Sequence, residues 1–212
     1  TVVDALAKEI RRHGGIIKTN SKFQSASWRT KFDKILLTVP TPIATKLFPD
    51  IALPPISHLH AHVLILETKE PILKDVYWLN VTDRSFPFLA VVAHTNFMDK
   101  KHYGGHHITY IGNYLPTGHK YLSMTKKQLL KEFLPFIKRL TSRFTLHASY
   151  LFTGMYAQPV HQLHYSKIAP KLATPIPGVY LANLDSIYPW DRGTNYAVEL
   201  GLHAARIIHE KG

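Results

Sequence analysis

With 212 residues, 45% of them hydrophobic, the chain is long enough to bury the core of one large or two modest domains. The absence of Cys excludes a disulfide framework and any thiolate zinc site, and no apolar run is long enough to span a bilayer. The formal charge of +12 suits anionic partners, but Lys and Arg are scattered, and their densest patches (8–12, 126–131 and 138–143) fit solvated faces better than a nucleic-acid footprint.

Taken in chain order, apolar Val3, Leu6, Ala7 and Ile10 predict a helix over 3–13, closed by Gly14-Gly15. Ile16-Ile17 and Phe23 suggest two short strands. A buried strand is expected over 32–39, stopped by Pro40 and Pro42. The region 53–155 reads as strand-rich. Strands are predicted over 58–66, 76–81, 88–94, 107–114 and 144–152, with Gly104-Gly105 turning between the third and fourth and Pro116-Thr117-Gly118 ending the fourth. Ser123 or Thr125 can cap a helix over 126–134 whose apolar side is Leu129, Leu130, Phe133 and Leu134. Pro135 can end or kink it, while Phe136, Ile137 and Leu140 can extend the packing. A sheet with this helix laid on one face is the simplest assembly.

Some patterns in this region point to chemistry and then fail on spacing. His58, His60 and His62 alternate along one strand, so all three share a face. Three ligands at that spacing cannot all reach one ion. The expectation is a polar, partly exposed strand face and no metal. Ser123-Met124-Thr125-Lys126 matches a Ser-x-x-Lys pattern but lacks its companion elements, so helix capping is the better reading. There is no Gly-x-Ser-x-Gly elbow and no close carboxylate pair on a helix face.

The last 35 residues are the most informative. Val179 to Ala182 reads as a buried strand, followed by the loop Tyr188-Pro189-Trp190-Asp191. On the helix that follows, Gly193, Ala197, Gly201 and Ala205 recur every fourth residue. Four small residues then share one face, which allows close approach of a sheet or a flat ligand. The Asp-Arg-Gly turn leads into a helix N-terminus, whose free N–H groups favour an anionic or carbonyl-bearing ligand.

This stretch resembles the C-terminal FAD-binding segment of the flavin amine oxidase superfamily, which includes protoporphyrinogen oxidase-like, phytoene desaturase-like and UDP-galactopyranose mutase-like proteins. Tyr180-Leu181-Ala182 matches its strand, Arg192-Gly193 its turn, and Ala197-Val198 and Gly201 with Ala204-Ala205 its helix. Near the start, the order helix, Gly-Gly, strand pair and Asp33 to Pro40 is similar to the middle of these flavoproteins. Two features depart from the family pattern. Asn183-Leu184 stands where Gly-acid is expected, so the carboxylate that holds the ribityl chain is missing or displaced to Asp185. The loop before the helix is also aromatic. No Gly-x-Gly-x-x-Gly turn occurs and the chain starts at Thr1, so a C-terminal part of a longer protein is expected.

The resemblance implies a mixed α/β chain: a partial Rossmann-like FAD domain with a mixed or antiparallel-sheet substrate domain carrying a packed helix. Residues 1–50 would form the central part of the FAD domain, 51–165 the substrate domain and 166–212 the C-terminal part of the FAD domain. FAD would be held by Phe23, Asn183, Trp190, Asp191, Arg192, Gly193, Thr194, Asn195 and Ala197. Within that set, Phe23 would reach the adenine, the Thr194 N–H the flavin N1–C2=O end, and Trp190 with Tyr188 would wall the ring. Substrate would meet Trp78, Asn80, His94, Asn96, Tyr110, Tyr165 and Tyr188. The implied function is FAD-dependent oxidoreduction of a C–N or C–C bond. The alternatives are a non-redox flavin mutase acting on a nucleotide-sugar and a flavin-free scaffold. Expected partners are a small-molecule substrate (the charge suits an anionic one), the N-terminal remainder of the protein, and a membrane surface in peripheral contact. The lack of Cys and of a spanning run is compatible with the cytoplasm, although a preceding segment could carry a targeting signal.

Overall fold

The computed structural model describes residues 1–23, 27, 31–143 and 145–210. Among them are helices α1 (Val2–Arg12), α2 (Thr41–Leu47), α3 (Lys126–Leu140), α4 (Tyr165–Ile168) and α5 (Thr194–Glu210). The strands are β1 (Ile35–Leu37), β2 (His58–Thr68), β3 (Trp78–Asn80), β4 (Ala90–Ala93), β5 (His107–Pro116), β6 (Leu146–Pro159) and β7 (Val179–Leu181). They form two sheets. One is the antiparallel five-stranded sheet β3-β4-β5-β2-β6, and the other is the parallel pair β1-β7. Parallel pairing requires a crossover, and here the crossover contains the whole five-stranded sheet. The fold is therefore mixed α/β, as the sequence implied.

The five-stranded sheet is built on strict alternation. Along β2 every second residue is buried, from His58 to Thr68. Leu64 and Leu66 on this face join Val91, Ile111, Leu115 and α3 residues Leu129, Phe133 and Ile137 in one core. The sheet is thus covered on one side by α3, as the apolar spacing of that helix predicts. The α3 N-terminus is fixed by a capping box between Thr125 and Gln128. Pro135 neither ends nor splits the helix, which continues to Leu140. An interior Pro costs about 3 kcal/mol. Burying Ile137 beyond it contributes about 1.5–3 kcal/mol, and Phe136 and Leu140 pack on the same core, so continuation wins.

Three expectations fail nearby. The strand expected over 144–152 runs instead over Leu146–Pro159, and Phe144 lies outside the described residues. Residues 16–23 form no strand; Phe23 instead packs on Phe48 at 6.0 Å between ring centroids. The His58, His60 and His62 face is fully buried, with 7%, 0% and 2% exposure, rather than partly exposed. Burial is tolerated because polar partners come from outside β2. His60 Nδ1 accepts the Tyr156 N–H at 3.0 Å, and its Nε2 faces the Thr117 hydroxyl at 2.8 Å. His62 is satisfied on one side, where Nδ1 faces the Thr153 hydroxyl at 2.8 Å, while its buried Nε2 has no hydrogen-bond partner among the described residues.

The parallel pair rests on a smaller core of Leu37, Ala44, Phe48, Ile51, Val179 and Leu181. The strand expected over 32–39 shortens to three residues because Pro40 opens α2, where a Pro near a helix start suits the fixed φ. Helices α1 and α5 remain largely uncovered. Helix α1 buries no residue, and Val2, Val3, Leu6 and Ile10 stand open. Helix α5 buries only Ala204 and leaves Val198 and Leu202 exposed. No helix among the described residues is long and apolar enough to cross a membrane.

Candidate functional site

A groove of about 640 Å³ runs between α5 and the ends of the parallel pair, within the size range of small-molecule sites. Leu36, Thr38 and Ala182 form one wall. Gly193, Thr194, Ala197 and Gly201 form the other. The small-residue spacing read from the sequence therefore does line a cleft, except that Ala205 is not among the lining residues. A Cβ built on Gly201 would meet no atom within 4 Å, so packing within the chain does not demand glycine there. The space it leaves belongs to the groove. The first bond inside the helix runs from the Ala197 N–H to the Gly193 carbonyl at 3.0 Å. The N–H groups of Thr194, Asn195 and Tyr196 precede that ladder, leaving the helix's positive end at the groove.

The expected ribityl-binding carboxylate is not in this groove. Asn183 caps the turn Leu184–Ser186 by accepting the Asp185 N–H at 3.1 Å. That turn carries Asp185 inward, where it is 1% exposed. One carboxylate oxygen accepts the Thr41 N–H at 3.1 Å and the Thr41 hydroxyl. The other lies 2.7 Å from His58 Nε2, while His58 Nδ1 lies 2.9 Å from the Ile56 carbonyl. Both ring nitrogens thus face acceptors. Asp185 is therefore a strut that ties β7, α2 and β2 together, and it is not available to a ligand. The Asn183 amide is also engaged, donating to the Val39 carbonyl at 2.9 Å.

Arg192 lines the groove, but its guanidinium is bound to the other sheet. It donates to the Ala157 carbonyl at 3.1 Å, to the Gln158 side chain and to the Tyr114 hydroxyl, and it lies 4.8 Å from the Tyr114 ring centroid. Charge-assisted bonds of this kind are among the stronger hydrogen bonds. Arg192 thus pins the α5 turn to β5 and β6.

Tyr114 also lines a second cavity, of about 380 Å³, on the sheet face opposite α3. Its floor includes Ala61, Val63 and Gly112, and its walls include Trp78, His94 and Tyr110. None of its lining residues is Lys, Arg, Asp or Glu. His94 Nε2 lies 2.6 Å from the Tyr103 hydroxyl, and the His94 ring meets Tyr110 edge-on at 5.4 Å. Burial, then Tyr103 and Tyr77, push the Tyr110 hydroxyl above its usual range, so it stays protonated near neutrality. Groove and cavity meet at the Arg192–Tyr114 contact.

The remaining expected site residues separate. Phe23 packs on Phe48, and Asp191 accepts the Arg192 N–H at 2.7 Å. Trp190 stacks on Tyr196, and together with Tyr188 they line a different hollow of about 260 Å³ with Glu199 and His203. Asn195 is exposed and is not among the residues lining the groove. Asn80 accepts from the Trp78 indole at 2.7 Å, orienting a cavity wall. Asn96 is a loop clamp, donating to the carbonyls of Leu73, Lys74 and Val76. Tyr165 is a core residue, 1% exposed, that donates to the Asp185 carbonyl at 3.0 Å. Tyr114 and Gln158 join the site through Arg192, a role that their spacing in the sequence does not signal. Gly201 lines the groove although it is not among the expected contacts, and the fourfold spacing passes through it.

Comparisons with known proteins bear on the fold. A chain described as a putative protoporphyrinogen oxidase from Exiguobacterium sp. 255-15 superposes with a TM-score of 0.66 at 16% identity, over 84% of this chain and 41% of that one. A reduced UDP-galactopyranose mutase gives 0.65 at 14% identity, over 85% and 42%. An oxidoreductase from Methanosarcina mazei gives 0.55 at 16% identity, over 82% and 43%. The chain thus spans about two-fifths of the length of these structures. No curated protein matches it in sequence. The profile described as flavin containing amine oxidoreductase matches residues 3–209, and the chain belongs to that family.

Proposed function

We propose that the chain supplies the flavin-end groove and the substrate face of an FAD-dependent oxidoreductase. The observation that carries this reading is the junction itself. A glycine-lined groove ending at a free helix N-terminus meets an uncharged aromatic cavity at the Arg192–Tyr114 contact. Gly193, Thr194, Ala197 and Gly201 would hold the flavin, with the Thr194 N–H toward its carbonyl-bearing edge. Bound there, FAD would supply hydride or electron-pair transfer with the substrate. The chain's own residues orient and exclude water. Trp78, held by Asn80, and Tyr110, held against His94, present flat apolar faces. Protonated Tyr110 and the His94–Tyr103 pair offer hydrogen bonds.

The groove fits a flavin only in part, since Asp185 is engaged elsewhere and no carboxylate is among the lining residues. The dinucleotide-binding turn and the missing acidic contact would come from a preceding segment of the protein. The open faces of α1 and α5 support this, because apolar residues on two helices of one molecule usually mark a surface that another body covers.

Redox chemistry is favoured over the nucleotide-sugar mutase reading by the lining of the cavity. A diphosphate calls for Arg or Lys, and the cavity lining contains neither. The same lining turns the expected substrate from anionic to neutral and apolar. The visible spectrum of the full-length protein after desalting tests the proposal. Flavin bands that are bleached by a neutral aromatic or polyene substrate support it. A colourless protein that takes up no added FAD points to the scaffold reading.

A further inference from the structure

We infer that Glu67, His106 and His147 form a binding site for a divalent first-row transition ion, of which zinc is the representative. The three residues come from three adjacent places in the five-stranded sheet. Glu67 is near the end of β2, which lies between β5 and β6, His106 immediately precedes β5, and His147 lies on β6. One ligand atom from each falls within 4.8 Å of the other two. The site lies four residues along β2 from Val63, about 13 Å from the floor of the aromatic cavity by strand rise, and shares no residue with that cavity.

A break in pairing brings His147 to this spot. Glu67 is paired with Ala148, while Thr68 is paired with Leu146, leaving His147 as the extra residue of a bulge. Bulges re-aim one side chain out of strand alternation. Here the re-aimed ring stacks on His106, with centroids 4.0 Å apart and planes 15° apart.

His106 Nδ1 lies 2.9 Å from Glu67 Oε1, and His147 Nε2 lies 3.9 Å from the same oxygen. Among the described residues, the buried His106 Nδ1 atom has no hydrogen-bond partner of good geometry, and the other carboxylate oxygen meets the Tyr150 hydroxyl at 3.5 Å. Two imidazole nitrogens and a carboxylate that converge in this way form a set of ligands a cation can gather.

The donor chemistry selects the ion. Two imidazoles and a carboxylate suit zinc and its neighbours better than calcium or magnesium, which take oxygen ligands. With bonds near 2.0 Å, ligands of a tetrahedral ion stand about 3.3 Å apart. The present spacing therefore needs closure of about 1.5 Å at most, which is within reach of the half-exposed His147 ring. Three protein ligands leave a coordination position open to water.

The test is zinc titration of the EDTA-stripped chain in competition with a chromogenic chelator. One equivalent should bind, and the Glu67→Gln and His147→Gln variants should weaken it by about tenfold or more. His102→Gln, on an exposed nearby turn, should not. Imidazole NMR signals of His106 and His147 should shift with the first equivalent. Circular dichroism of each variant confirms that it is folded, and His147, being exposed, is the safer probe. No binding event above that of His147→Gln, or an equivalent that survives in both variants, overturns the site.

Discussion

The five-stranded sheet and the parallel pair are built from similar residues but end in different states. The sheet has a helix seated on it, and Leu64, Leu66, Ile111, Leu129 and Ile137 are all without exposure. Around the parallel pair, by contrast, α1 buries nothing and α5 buries one alanine. The sheet carries its own helix-covered core, whereas the pair presents an open groove and apolar helix faces that its own residues do not cover. Stability should therefore reside in the first region and binding in the second.

The largest expected effect lies where the two regions join. Asp185→Ala leaves His58 in a buried site without its carboxylate, and breaking a buried pair in this way costs about 3–5 kcal/mol. Phe133→Ala, in the α3–sheet core, should cost a similar 3–5 kcal/mol in urea unfolding. The matched truncations Leu6→Ala and Ile10→Ala on α1 should change stability by no more than about 0.5 kcal/mol. If they cost as much as Phe133→Ala, the contrast between the regions fails. Between these limits, Thr125→Ala removes the α3 cap and should cost about 1 kcal/mol.

A pH series sharpens the same contrast. Burial lowers the His60 and His62 imidazoles below their usual range; His58 adds to the effect at His60 and His119 at His62. The unfolded chain takes up protons at these residues below about pH 6.5 before the folded chain does. The stability they contribute is thus complete above that pH and declines as the pH falls toward the lowered native values. Melting temperature should drop on acidification from about pH 7 to pH 5, and the drop should be shallower in His62→Gln. An unchanged slope would contradict the buried neutral imidazole.

The parts of this structure that could be read from sequence were those set by periodicity. The alternation of β2 and the apolar spacing of α3 gave both the sheet and its helix, and the fourfold spacing from Gly193 gave one groove wall. What could not be read depended on direction. Nothing in Asn183-Leu184-Asp185 tells that the Asn183 cap turns the acid inward to Thr41 and His58. Arg192 reads as a ligand contact until Tyr114 and Gln158, 78 and 34 residues away, are seen to hold it. Tyr165 reads as a substrate contact although it is a core residue, because aromatics serve cores and sites alike. The histidine face reads as partly exposed because its partners, Tyr156 and Thr153, stand far along the chain on the neighbouring strand β6.

The central claim is that the space beside Gly201 belongs to the flavin. It is tested most directly by FAD retention in the full-length protein with and without Gly201→Leu. Leucine should raise the helix propensity of α5 by up to about 1 kcal/mol and meets no atom at its Cβ, so melting should be unchanged or slightly higher. The predicted result is that flavin bands survive desalting in the parent and are lost in the variant. A Gly201→Leu protein that keeps its flavin as tightly as the parent would contradict the account.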